Sequence, residues 1–120
     1  MLGDESALAL AENKTLTKLK LSMNQIGDSG AIALARSESV TELYLNDNKI
    51  GNDGAIAFAG NKILNILYLK INKIDDLGAA AFLDNRNLLT LDLSYNQIGS
   101  QILIQVKECI KLNNILKKRT

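Results

Sequence analysis

The sequence predicts an α/β solenoid, a short right-handed arc with a parallel sheet on its concave face and helices on its convex face. Three observations lead there. One pattern of apolar residues and asparagine recurs every 24 residues. Each copy holds two apolar residues two positions apart, which is the period of a strand. An alanine-rich run follows each of the first three copies.

The strand comes first. Leu16, Val40, Leu64 and Leu88 stand 24 residues apart. Three positions on come Leu19, Leu43, Leu67 and Leu91, and five on come Leu21, Leu45, Leu69 and Leu93. Eight on come Asn24, Asn48, Asn72 and Asn96, and ten on Ile26, Ile50, Ile74 and Ile98. The pattern LxxLxLxxNxI therefore stands four times without a gap, which chance does not produce. The two leucines of LxL point to one side of an extended segment and the residues around them to the other. Each strand is short and pairs in parallel with its neighbours.

The turn follows. The asparagine of each copy is expected to face inward, its amide bonding backbone groups that no strand satisfies. Stacked copies at Asn24, Asn48, Asn72 and Asn96 would form a structural ladder serving each turn and its neighbour. Gly27-Asp28-Ser29-Gly30 and Gly51-Asn52-Asp53-Gly54 then mark a turn and a helix start, with Asp or Asn as the expected N-cap. Asp75 stands where the other copies have glycine, so that turn is expected to differ. The Asp75-Asp76 pair is better explained by turn and cap than by a cation. The alanine runs at 31–35, 55–59 and 79–83 read as helices. Leu34, Phe58 and Phe82 share one column and should fill the core; Ile32 and Ile56 form a second.

One domain is expected over 1–120. It divides into a partial repeat at 1–15, full repeats at 16–39, 40–63 and 64–87, and a last repeat at 88–120. The first helix, about residues 4–12, has no strand of its own. Either the chain is a piece of a longer repeat protein or the gene begins here. In both cases the Leu8/Leu10 layer is a candidate for end-to-end self-association. After Gly99 the alanine signature ends. Ile102, Leu103, Val106, Cys109 and Ile110 keep helical spacing to about residue 112 and form a capping helix. Leu112 and Ile115 reopen the strand pattern, and Lys117-Lys118-Arg119 would blunt it as an edge strand. A helical tail is the alternative.

Composition narrows the function. Fourteen basic residues face thirteen acidic ones, and only Arg36, Arg86 and Arg119 are arginine. That balance lacks the footprint of a nucleic-acid binder. No stretch approaches the length of a membrane span. One cysteine, Cys109, permits no intrachain disulfide and suits a cytoplasmic setting. It reads as a small core hydrophobe. There is no histidine, phosphate loop, nucleophile elbow or metal-ligand spacing. No catalytic residue, metal or cofactor is expected.

The LxxLxLxxNxI pattern resembles the leucine-rich-repeat superfamily, in its ribonuclease-inhibitor-like class. The 24-residue length and the run Gly30-Ala31-Ile32-Ala33-Leu34-Ala35 look closest to the GALA-type repeats of bacterial effectors. The likeness covers residues 2–100. It implies a protein partner bound on the concave sheet face, in an effector or adaptor delivered into a host cell. Two further readings are a fragment of a longer solenoid and the substrate-recognition part of a ubiquitin-ligase assembly. There is no room for an F-box, and Cys109 lacks the Cys-x-Asp of the effector ligases.

The outward strand positions are the candidate contact residues. One column is Lys18, Glu42, Ile66 and Thr90, and the next is Lys20, Tyr44, Tyr68 and Asp92. Beyond them stand Lys70 and Tyr95. Adjacent strands lie about 4.8 Å apart, so Tyr44 and Tyr68 should be neighbours. Tyrosines beside Ile66, flanked by Lys20 and Asp92, have the character of an interface.

Overall fold

A computed structural model describes residues 1–118. The chain runs α1 (Asp4–Ala11), β1 (Lys18–Lys20), α2 (Asp28–Ala35), β2 (Glu42–Tyr44), α3 (Asn52–Ala59), β3 (Ile66–Tyr68), α4 (Asp76–Ala80), a 3₁₀ turn (Ala81–Asp84), β4 (Thr90–Asp92) and α5 (Ser100–Lys118). The strands form one parallel sheet in the order β1-β2-β3-β4. Each residue pairs with the one 24 positions on, as Leu19 with Leu43, Leu43 with Leu67 and Leu67 with Leu91. The repeat period is therefore the sheet register.

Helices stack on one side of the sheet, and the core lies between the layers. Leu43, Leu45, Leu67 and Leu69 fill it from the strands, and Leu34, Phe58 and Phe82 from the helix layer. Val106 of α5 extends that last column. Each fully buried side chain of this size contributes roughly 1.5–3 kcal/mol. The second expected column lies outside the core: Ile56 is 49% exposed and Ile32 is only partly covered.

Side-chain ladders bridge the layers. Asn48 Nδ2 donates to Leu21 O of the preceding strand and to Leu45 O of its own, while its Oδ1 accepts from Ile26 N at 2.9 Å. Asn72 repeats the set on Leu45 O, Leu69 O and Ile50 N, and Asn96 on Leu69 O, Leu93 O and Ile74 N. Asn24 serves Leu21 O and Leu2 N.

A second ladder corrects the expected caps. Asp28 lies inside its helix, and Gly27 holds the N-cap place with no side-chain bond. The Asp28 carboxylate instead reaches the following helix and accepts from Gly51 N at 2.7 Å and Gly54 N at 3.0 Å. Asp4 does this for Gly27 N and Gly30 N, and Asn52 for Asp75 N and Gly78 N. One side chain thus supplies both bonds of a capping box, one repeat away. The approach requires glycine for space: a Cβ on Gly30, Gly54 or Gly78 would meet these groups at 2.6, 3.0 and 2.5 Å. Where Ile102 takes the glycine place, Asp76 retains the bond from Gly99 N at 2.7 Å. Asp75 does cap its own helix, accepting from Leu77 N.

A third ladder, not foreseen from sequence, follows the helices. Asn61 Oδ1 accepts from Ile63 N and Leu64 N, and its Nδ2 donates to Ala35 O. Asn85 repeats this with Asn87 N, Leu88 N and Ala59 O. Cys109 is next in the column, and its Sγ lies 3.4 Å from Leu83 O and 3.5 Å from Asn85 O. The thiol thus takes the place of the ladder amide.

The C-terminal tail differs from the edge strand the sequence favoured. α5 continues unbroken to Lys118, because no glycine or proline follows Gly99 to stop it. Leu112 and Ile115 satisfy helical spacing as well as the strand pattern. Arg119 lies outside the described residues.

Candidate partner-binding face

The strand register fixes which side chains share the open face of the sheet. Lys18, Glu42, Ile66 and Thr90 form one row, and Lys20, Tyr44, Tyr68 and Asp92 the next. Leucines alternate with them on the core side, so the open face carries the polar and aromatic residues. It lies opposite the helix layer, and no other element among the described residues covers it.

Tyr44 and Tyr68 stack, with ring centroids 4.9 Å apart and an interplanar angle of 17°. Such a pair contributes about 0.5–1.5 kcal/mol beyond its area. Lys18 Nζ and Lys20 Nζ lie 5.9 and 5.7 Å from the Tyr44 centroid, within range of the ring quadrupole. The Tyr44 hydroxyl donates to Glu42 Oε1 at 3.2 Å. Partial burial pushes this phenol above its ordinary value of 10.0, and the adjacent Glu42 carboxylate pushes the same way. These contacts hold the side chains of the face in place.

The far end of the face is built differently. Asp92 Oδ1 accepts from Ser94 Oγ at 2.6 Å and from Ser94 N at 3.0 Å. Lys70 Nζ lies 5.3 Å from the ring of Tyr95, which is 75% exposed. Tyr95 belongs to a column of residues 24 positions apart that share one backbone conformation. Met23, Asp47, Ile71 and Tyr95 all adopt positive φ, between 57° and 60°. Each reverses the chain just before a ladder asparagine. Left-handed backbone at a β-branched residue such as Ile71 is strained. Its benefit is that large side chains stand out at the rim of the face.

Among the described residues, no group of three or more His, Cys, Asp or Glu could hold a metal ion. A surface depression lies on another side, near Ile56, Gly60, Ala81 and Arg86. It is shallow and shares no residue with the tyrosine face. No helix of the described residues is long and apolar enough to cross a membrane.

Residues 38–98, just over half of the chain, match the family described as Leucine rich repeat, and residues 12–35 match a second Leucine Rich repeat family. The chain belongs to the leucine-rich-repeat family. Leucine-rich-repeat domains generally serve as non-catalytic protein-interaction modules. No curated protein sequence matches this chain significantly. Among solved structures it is similar to leiomodin-1 actin-binding site 2, with a TM-score of 0.79 at 20% identity. That match covers 98% of this chain and 78% of the other. At such identity the likeness is one of fold.

Proposed function

We propose that this leucine-rich-repeat chain binds a protein partner through the open face of its sheet, with Tyr44 and Tyr68 as the central anchors. The observation that carries the reading is the stacked tyrosine pair with two lysines over it and Ile66 alongside. Rigid aromatic area at low entropic cost is what interface hot spots use. Lys18, Lys20, Glu42, Lys70, Asp92 and Tyr95 form the polar rim that sets orientation. The four asparagines of the turns act structurally.

The run at 30–35 and the 24-residue unit support the narrower reading of a GALA-type bacterial effector or adaptor, cytoplasmic or delivered into a host cell. The ubiquitin-ligase reading requires a catalytic subunit on another chain. Leiomodin-1 carries an actin-binding site on a similar fold, which makes actin a specific partner to include.

The test is affinity capture with the wild-type chain, followed by affinity measurement on the captured partner. Tyr44→Ala with Tyr68→Ala should weaken binding at least about 30-fold, the scale of a hot-spot pair. Unchanged affinity, with circular dichroism showing the fold intact, would refute the open-face reading.

A further inference from the structure

The edge of β4 is half finished. Just past each of the first three strands, two backbone N–H groups donate to carbonyls of the next copy, at the end of its strand and two residues beyond. Leu21 N and Met23 N reach Tyr44 O and Asn46 O, Leu45 N and Asp47 N reach Tyr68 O and Lys70 O, and Leu69 N and Ile71 N reach Asp92 O and Ser94 O. Their counterparts in the fourth copy are Leu93 N and Tyr95 N, and neither has a partner among the described residues. The start of the same edge is closed: Leu89 O, which would accept from a fifth strand, accepts from Asn114 Nδ2 at 2.9 Å instead. α5 therefore seals one half of the edge and leaves the other.

Beside the open half runs a groove of about 370 Å³, lined by Leu91, Leu93, Leu103, Val106 and Ile110, with Asp92, Ser94 and Lys107 at its rims. Leu91 is half-buried, whereas Leu43 and Leu67, its equivalents, are fully buried. The helix of the last layer is in place and the strand that would lie beyond it is missing, because residues 112–118 are helical.

We infer that this groove is a fifth-strand slot that takes an extended segment of a partner, in parallel, with two bulky aliphatic residues two positions apart and a basic residue between them. The backbone donors fix the extended form, since a strand carbonyl two residues from another is what Leu93 N and Tyr95 N are spaced to meet. The two aliphatic side chains fall on the core side, against Leu91, Leu93 and Val106. The residue between them falls in the row of Tyr68 and Asp92, about 4.8 Å from Asp92, so a positive charge is complementary there.

The probe is a synthetic peptide with the sequence of residues 14–23, Lys-Thr-Leu-Thr-Lys-Leu-Lys-Leu-Ser-Met, which carries Leu-Lys-Leu. It is titrated into the full chain while amide resonances and amide hydrogen exchange are followed by NMR. The expected result is slowed exchange at Leu93 and Tyr95 on saturation, with shifts running through Leu103, Val106 and Ile110. Replacing the peptide's two slot leucines by serine should abolish binding. Asp92→Asn should weaken binding about threefold, the scale of an exposed charge pair. The slot is separate from the tyrosine anchors, so Tyr44→Ala with Tyr68→Ala should still bind the peptide. No binding, shifts centred on Tyr44 and Tyr68, or unprotected Leu93 and Tyr95 amides would each overturn the inference.

Discussion

Asn72→Ala removes one link from the middle of the turn ladder, and its cost can be worked group by group. Ile50 N, which donates to Asn72 Oδ1 at 2.9 Å, loses its acceptor in a place where Ile50 is fully buried. An orphaned buried donor costs about 1–3 kcal/mol. The three carbonyls fare better, and the most distant of them, Lys70 O at 3.4 Å, retains Asp47 N. Leu45 O retains Asn48 Nδ2 at 3.1 Å, and Leu69 O retains Asn96 Nδ2 at 2.8 Å. Losing one of two donors costs each about 0.5 kcal/mol, the low end for a net hydrogen bond. The total is about 3 kcal/mol, a large share of the 5–15 kcal/mol expected for a domain. Asn24→Ala is the internal control. It strips Leu2 N, an exposed group that water can satisfy, and Leu21 O retains Asn48; about 1 kcal/mol is expected. Asn72→Asp separates polarity from volume. It leaves an acceptor for Ile50 N but sets a carboxylate against two carbonyls, so it should be at least as damaging as alanine. Urea unfolding followed by far-UV circular dichroism measures all three. If Asn72→Ala and Asn24→Ala agree within about 0.5 kcal/mol, comparable to the error of such measurements, the ladder does not act as a shared network.

Other expectations follow from single contacts. Gly54→Ala places a Cβ 2.6 Å from Ile50 Cγ2 and 2.8 Å from Ala31 Cβ, and should cost about 2 kcal/mol as an overpacked core does. Gly60→Ala meets nothing closer than 3.7 Å in right-handed backbone, and chemical denaturation should show it neutral or stabilising by about 0.5 kcal/mol. Ile71→Asn relieves a β-branched residue at φ 57° and should stabilise by about 1 kcal/mol, read as a higher urea midpoint. Spectrophotometric titration of Tyr44 should place its ionisation above 10.0, and Glu42→Gln should lower it. Because the folded value is raised, that contribution to stability is full below pH 10 and is lost as pH rises through the folded value. Tyr44→Phe should flatten this alkaline loss.

The strand pattern was legible because residues 24 apart become neighbours in the sheet, so a column in the sequence is a row on the protein. Lys18, Glu42 and Ile66 could be placed together on that ground alone. The cap residues were misread for the opposite reason. Local rules pair a cap with donors two or three positions away, and Asp28 bonds donors 23 and 26 positions away. The third ladder stood in plain register at Asn61, Asn85 and Cys109, with Ser37 ahead of them accepting from Ser39 N and Val40 N, but mixed residue types hid a shared task. Positive φ at Met23, Asp47, Ile71 and Tyr95 left no trace, since none is glycine or asparagine. At the tail, Leu112 and Ile115 fit strand and helix alike, and the absence of a stop signal after Gly99 decided between them.

The three ladders all tie backbone groups of one repeat to a side chain of its neighbour, and this has a mechanical consequence. Tension applied through the chain ends loads the terminal layers before the central ones. A layer that gives way takes with it only the bonds it shares with one neighbour, and the layers behind it retain theirs. The force–extension record of such a chain is a series of small, similar teeth, each releasing about 80 Å of contour for 24 residues. The protein behaves less as a single brittle body than as a short zip whose teeth are repeats.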